Sequence, residues 1–404
     1  MKRIVRRVAG IGVWAIAILC LAITVVPRFL DRFYYRGAAS DHFDGARFFN
    51  PDGEDTARTP GGGNRAAFLW RQATGGDDRP RWPERVVVDP ARPSELRDVK
   101  PGSDEMRVTW IGHATALVQV AGMNILTDPI YAENAGPFGF GPRRVAAPGV
   151  AIRDLPRIDL ILVSHNHYDH LDRETLRTLW ERDHPRVVTS LGNDAILRSA
   201  GIDATALDWG QGARVGVASV HVVRNHHWGS RWFVDRNRAL WSAFVVRLPG
   251  GNLFFAGDTG MGDGRWIDEA RALGPIRLAL IPIGAFRFAP GQMESGAHVG
   301  PVDALAMFRR LGAWRGVPIH WGTFRLSYEG WDTPPRLLDA AKACGGESAW
   351  PVTNRRFATL RIGRPFAVPP IAEVRVPSPS VTTSAWNRAA VLDCLDTPEV
   401  HALR

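Results

Sequence analysis

Short apolar runs separated by glycine and polar breaks fill the middle of this chain. Residues 106–111, 116–120 and 124–128 are three β-prone stretches in close succession and read as a meander. Further strands are expected at 158–163, 186–190, 219–223, 239–247, 252–256 and 278–282. Between them the period changes. After the plausible cap Asp172, Leu176, Leu179 and Trp180 fall at helical spacing. Other helices should start near Asn193, Gly300-Pro301 and Thr333-Pro334, each with a cap or a first-turn proline. Strands and helices mixed in this order predict an α/β domain over 106–363, with stacked sheets and helices outside.

The flanks read differently. Residues 28–105 are rich in Pro, Gly, Asp and Arg and predict an extended lead-in, held to the domain by Phe48, Phe49, Trp70 and Trp82. Residues 364–404 are proline-rich and predict a poorly ordered tail. At the start, residues 8–26 are continuously apolar, close to the roughly 20 residues that cross a bilayer as a helix. The segment 1–27 is therefore expected to be an uncleaved transmembrane anchor. A removed signal peptide is the alternative, although Ile23-Thr24-Val25-Val26-Pro27 offers no good cleavage site. Lys2, Arg3, Arg6 and Arg7 precede the span and Arg28, Arg32 and Arg36 follow it, a weak bias towards a cytoplasmic N-terminus. The expected location is a bacterial inner membrane with the domain on the periplasmic side.

Charge then excludes one class of partner. The chain carries a net +9, but residues 1–36 hold seven Lys/Arg against Asp31. The remainder is too nearly neutral to be a nucleic-acid footprint. Cys20, Cys344 and Cys394 form no spacing pattern for zinc or a disulfide framework, so cysteine is not expected to bind metal or to fix the compartment.

The chemistry concentrates in Ser164-His165-Asn166-His167-Tyr168-Asp169-His170, which follows a buried-strand pattern and holds three of the 12 histidines. Imidazole and carboxylate suit zinc and similar cations. His165 and His167 are two apart and point to one side in an extended segment, whereas Asp169 and His170 lie further round and can serve a second ion. Two hydrolytic ions need about seven protein ligands if water is to share them. Three other apolar runs end in a metal-capable residue: Asn225-His226-His227-Trp228, Ala256-Gly257-Asp258-Thr259 and Ile319-His320-Trp321. Asp258 fits a bridging carboxylate, or alternatively an Asx-turn cap. His226 rivals His227, and His320 also fits a buried, hydrogen-bonded histidine.

These segments resemble the metallo-β-lactamase superfamily and, within it, the N-acylphosphatidylethanolamine-hydrolysing phospholipase D group. Thr109-Trp110-Ile111-Gly112-His113, Leu126-Thr127-Asp128-Pro129, the loop from Ser164 to Asp172, Phe254 to Gly260, Ile281 to Ala285 and Ile319 to Phe324 carry the likeness over roughly residues 43–345. The resemblance implies an αββα sandwich and two Zn2+ per chain. It implies His165, His167 and His227 on one ion, Asp169, His170 and His320 on the other, and Asp258 between them. Asp128 would orient a ligand, and the alternative is a plain turn residue. His298 would face the substrate just before a helix start, against the alternative of a surface histidine. His113 is expected to be structural, on its strand, with participation in the site as the alternative. Phe138, Phe140, Phe286, Phe288 and Met293 are candidates for an acyl groove, and each equally suits the core.

The implied reaction is hydrolysis of a phosphodiester, with Asp258 positioning the nucleophile. A membrane phospholipid is the expected substrate, N-acylphosphatidylethanolamine above others, yielding N-acylethanolamine and phosphatidate. Alternatives are a sugar-phosphate lactonase, another phosphodiesterase of the same fold and a non-catalytic zinc scaffold.

Overall fold

The computed structural model describes residues 7, 10–22, 32, 34–53, 80–232, 234–288, 292–345, 356–371 and 387–403. Two seven-stranded sheets pack face to face. The first runs in the order β14-β1-β2-β3-β4-β5-β6, from Pro365–Ala367 (β14) through Met106–Gly112 (β1), Thr115–Val120 (β2), Met123–Thr127 (β3), Leu160–Val163 (β4) and Arg186–Ser190 (β5) to Thr205–Leu207 (β6). The second runs β13-β12-β11-β10-β9-β8-β7, comprising Arg356–Phe357 (β13), Arg315–Ile319 (β12), Ile276–Pro282 (β11), Asn252–Phe255 (β10), Ala243–Arg247 (β9), Ala218–Val223 (β8) and Gly212–Val215 (β7).

Side chains of alternate residues explain the layering. Val108, Trp110, Val118, Ile125 and Leu162 from one sheet meet Val220, Phe244, Phe255, Leu280 and Val317 from the other in a shared core. The neighbouring positions face outward and are buried too, because helices cover them. Leu117, Ile161 and Val187 pack under α1 (Arg173–Asp183) and α2 (Asn193–Arg198). Phe254, Ala279 and Ile281 pack under α3 (Arg265–Ala272), α4 (Pro301–Leu311) and α5 (Thr333–Cys344). The expected helix-sheet-sheet-helix order is what forms.

The directions of the strands place the site. Strands β1, β3 and β4 run the same way in one sheet, as do β8, β10, β11 and β12 in the other. Both sets deliver their C-terminal ends to one edge of the sandwich.

Several expectations need correction. The apolar run 239–247 becomes strand only from Ala243. Leu240 and Trp241 instead pack against Phe43 and Phe48 of the lead-in, away from any ladder. The tail from Arg364 is not a loose appendage where it is described. Its first residues add β14 to the edge of β1, and Val368 is buried in the core. Helices α6 (Arg388–Cys394) and α7 (Pro398–His401) bring Val391, Leu395 and Leu403 onto the α3–α5 core. Cys344 and Cys394 form a disulfide that joins α5 to α6. Their separation of 50 residues gave no framework pattern, and packing of the tail brings them together.

Of the lead-in anchors, Trp70 lies outside the described residues, and Trp82 donates from Nε1 to the Glu329 carbonyl at 2.9 Å. The span expected at 8–26 is described over 10–22, which is helical and exposes Trp14, Ile16, Ile18 and Leu19. Among the described residues no helix is long and apolar enough to cross a membrane.

Candidate metal centre

Six strands at the shared edge release the chain into turns that carry polar side chains. Ser164 to His170 follow β4, Arg224 to His227 follow β8, Ala256-Gly257-Asp258 follow β10, and His320 follows β12. His113 follows β1 and Asp128 follows β3. His113, Asp128 and His320 adopt positive φ of 52°, 30° and 62°. Left-handed backbone is uncommon for such residues and collects at functional sites. Gly257 also has positive φ, and a Cβ there would meet the Ser164 Cβ at 2.7 Å. Only glycine lets the Asp258 turn approach the histidine loop so closely.

The seven residues expected as ligands converge. His165, His167, His227 and Asp258 form one cluster. His165 Nε2 lies 2.8 Å from His167 Nδ1, and His227 Nε2 lies 3.4 Å from the same atom. His226 points away to Asp52, which leaves His227 in the cluster. Asp169, His170 and His320, with His113, form the second cluster. Asp258 Oδ2 is 3.1 Å from His170 Nε2 and 3.0 Å from His320 Nε2, and so reaches both clusters.

The supporting bonds leave the inward nitrogens available. His227 Nδ1 donates to the Ala297 carbonyl at 2.9 Å. His170 Nδ1 donates to Asp128 Oδ2 at 2.6 Å. Asp128 is wholly buried and also accepts from the Ser164 amide and hydroxyl, whose Oγ lies 2.8 Å from His165 Nδ1. One carboxylate thus braces both halves of the loop, as carboxylates behind metal-binding histidines do. The lead-in contributes as well: Asn50 donates from Nδ2 to the His227 carbonyl and accepts from Trp241 Nε1.

The protonation pattern divides the centre. Burial pushes His167 down to about 3, and burial with neighbouring imidazoles holds His165 and His227 well below the ordinary histidine range. These imidazoles are neutral, as ligands must be. In the other half burial opposes charge and loses. The Asp258 and Asp169 carboxylates hold His170 well above its ordinary value and raise His320 to about 9. Both carboxyls stay well below their usual range despite burial, because the imidazoles beside them favour the charged form.

These residues fit metal ions. His170 Nε2, His320 Nε2 and Asp258 Oδ1 are buried without an aligned hydrogen-bond partner among the described residues. Such orphaned groups carry a desolvation penalty that a coordinated cation removes. The all-nitrogen-and-oxygen donor set suits zinc and other borderline first-row ions.

Other expected residues fall into place or out of it. His298 precedes α4, and its Nδ1 stands 3.8 Å from Asp258 Oδ2, buried and without a hydrogen bond among the described residues. Its ring is pushed down to about 4 by burial. His113 does not lie on a strand with a purely structural task. It sits in the turn after β1, its Nε2 lies 3.0 Å from Asp169 Oδ2, and its ring lies 4.1 Å from that of His320. Among the acyl-groove candidates, Phe286 is core and Met293 packs against the core. Phe288 approaches His298, with ring centroids 6.0 Å apart. Phe138 and Phe140 are exposed.

Known proteins resemble this chain in sequence and fold. The pattern of the β-lactamase superfamily domain matches residues 123–321. An uncharacterized protein of Mycobacterium tuberculosis (strain ATCC 25618 / H37Rv) is 35% identical over 262 residues, which cover 63% of this chain and 69% of that one. The N-acyl-phosphatidylethanolamine-hydrolyzing phospholipase D 1 of Caenorhabditis elegans is 33% identical over 250 residues, covering 57% of this chain and 69% of that one. The mitochondrial enzyme of the same description from Saccharomyces cerevisiae is 30% identical over 292 residues, covering 66% and 62%. The crystal structure of a possible metal-dependent hydrolase from Veillonella parvula DSM 2008 superposes with a TM-score of 0.51 at 14% identity, over 65% of this chain and 99% of that one. The chain belongs to the metallo-β-lactamase superfamily, in its N-acylphosphatidylethanolamine-hydrolysing phospholipase D-like group, and is a metal-dependent hydrolase.

Proposed function

We propose that this hydrolase is a dinuclear zinc phosphodiesterase that cleaves N-acylphosphatidylethanolamine to N-acylethanolamine and phosphatidate. The observation that carries this reading is the pair of ligand clusters that share Asp258. His165, His167 and His227 would hold one ion, Asp169, His170 and His320 the other, with Asp258 serving both. Bound there, two divalent ions supply an acidified water and stabilise negative charge on phosphoryl oxygens.

The chain's own groups set up the rest. Asp128 and the Ala297 carbonyl hold Nδ1–H of His170 and His227, so that each ring presents Nε2 inward. Asp258 would orient the attacking water and relay its proton to the ethanolamine oxygen as the bond from that oxygen to phosphorus breaks. His298 Nδ1 is positioned to bond a phosphoryl oxygen, and a neutral ring does so by donating one hydrogen. The names of the worm and yeast relatives support a phospholipid substrate.

We place the domain on the periplasmic side of a bacterial inner membrane, anchored by residues 8–26. The Cys344–Cys394 disulfide supports an oxidising compartment.

Purified protein in detergent should contain two zinc ions per chain by plasma emission. It should release N-acylethanolamine in a chelator-sensitive reaction, in preference to opening a sugar-phosphate lactone or a β-lactam. Preferred turnover of the lactone would replace the substrate reading. Full activity after His165→Ala would end the two-metal reading.

A further inference from the structure

Residues 133–144 form a braced finger beside the metal centre. Asn134 bridges Arg143, the Ala135 amide donates to the Pro142 carbonyl at 3.0 Å, and the Arg144 amide donates to the Glu133 carbonyl at 2.8 Å. At its base the buried Arg144 guanidinium donates to the carbonyls of Ile130, Ala132 and Ala146. Gly136 and Gly141 permit the two arms to cross, since a Cβ on either would strike backbone at 2.3 or 2.8 Å. This rigid stalk ends in Phe138 and Phe140, which are 82% and 73% exposed. Phe138 also holds φ 55° and ψ 29°, a left-handed conformation that a bulky L residue rarely adopts. A fold that only needed a turn would place a small polar residue here. Two exposed aromatics on a braced tip indicate an apolar surface outside the chain.

The surroundings identify that surface. A cavity of about 600 Å³ opens beside the tip, lined by Phe138, Trp232, Tyr168, Arg32, Arg173 and Arg231, among others. Tyr168 belongs to the histidine loop, so the cavity reaches from the finger to that loop, next to the ligands on either side of Tyr168 in the chain. Three arginines against Glu174 give its wall a positive balance that complements phosphate groups. The N-terminal helix with its exposed apolar side chains is described to residue 22. Arg32, ten residues on, lines this same cavity, and ten residues span at most about 36 Å.

We propose that the finger is a membrane-contact element: Phe138 and Phe140 enter the interface of a bilayer containing anionic phospholipid, while the arginines of the cavity meet its phosphates. This deepens the phospholipid reading above, and rests on it for the purpose of the contact. A lipid lifted between the finger and Trp232 would then lie against Tyr168 of the histidine loop.

The test uses full-length, zinc-loaded protein carrying Cys20→Ser, with an environment-sensitive fluorophore on Phe140→Cys. Val217→Cys is the control, 55% exposed and at the end of β8 opposite His227. With vesicles of phosphatidylethanolamine and phosphatidylglycerol, the label at 140 should shift to the blue and be quenched by spin-labelled lipid. The label at 217 should stay water-like. A water-like label at 140 overturns the proposal, as does a blue shift that needs protein concentration and no vesicles, which would mark contact between copies. In a second arm, Phe140→Ser should lower turnover of vesicle N-acylphosphatidylethanolamine relative to a soluble phosphodiester by about tenfold, the partitioning effect of burying one phenylalanine. Equal losses on both substrates would count against it. If the unaltered protein cleaves no N-acylphosphatidylethanolamine, the substrate reading fails, yet the fluorescence still decides the membrane contact.

Discussion

The two halves of the metal centre reach readiness by opposite routes. His165, His167 and His227 are neutral because burial and the imidazoles around them forbid their charge. Asp169, His170, His320 and Asp258 are charged because carboxylates and imidazoles sustain one another against burial. The first half is a set of lone pairs awaiting an ion. The second already contains positive charge, carried by protons where a metal would sit. An ion entering the second half must displace protons, and an ion entering the first need not.

Asp258 belongs to both halves, so its removal should have the largest effect. Asp258→Asn keeps the shape but supplies a neutral oxygen in place of a carboxylate. Hydrolysis should fall on the order of 10²–10⁴-fold, since both metal binding and proton acceptance suffer. Plasma emission on the same sample should show less than full zinc. An unchanged zinc content with intact activity would erase the distinction between a shared and an unshared ligand.

Asp128 offers a sharper cut, because it touches the halves unequally. Its Oδ2 takes the His170 proton directly and reaches His165 only through Ser164. Asp128→Asn should therefore weaken the carboxylate half more, by about 10–100-fold in metal affinity. Competitive zinc titration should resolve one weakened and one nearly unaltered site. Equal weakening would mean that Ser164 transmits as much as the direct bond.

Much of this centre was legible in the chain, and the reason is geometric. A β-run followed by His or Asp puts that residue at a sheet edge, and four such runs, one in the first sheet and three running the same way in the second, put their ends together. Support from outside that logic was hidden. His113 follows Gly112 in a tight turn and meets Asp169, 56 residues away, through packing alone. Asn50 and Asp52 lie in a lead-in without periodicity, where nothing local announces their bonds to His227 and His226. Hydropathy marked Phe138, Phe140 and Phe286 alike, yet only Phe286 turns inward, because inward and outward depend on the finger's fold. The tail misled for a related reason. Proline content masked two short helices whose apolar residues have a partner surface on α3–α5.

Proton release gives the comparison a direct reading. His320, raised to about 9, and His170, raised well above its ordinary value, are protonated near neutrality in the ion-free protein. Loading the carboxylate half must expel these protons. Its apparent affinity should therefore rise with pH through neutrality and level off above about 9, where His320 has already lost its proton. The three-histidine half, with His167 down to about 3, should bind with little proton release over the same range. Calorimetric zinc titration in buffers of different ionisation enthalpy should show one proton-releasing step and one silent step. Two silent steps would show that the halves are electrostatically alike.

The smallest effect should come from the brace on the first half. Asn50 is buried, donates to the His227 carbonyl and accepts from Trp241 Nε1. Asn50→Ala leaves those two groups without partners, which should destabilise the protein by about 1–3 kcal/mol in denaturant titration. His227 keeps its Nδ1 bond to Ala297, so its ring should stay aimed at His165 and His167. Metal affinity of the three-histidine half should then fall only a few-fold, and that of the carboxylate half not at all. A loss as large as that of Asp128→Asn would make the lead-in, rather than burial, the principal support of the neutral half.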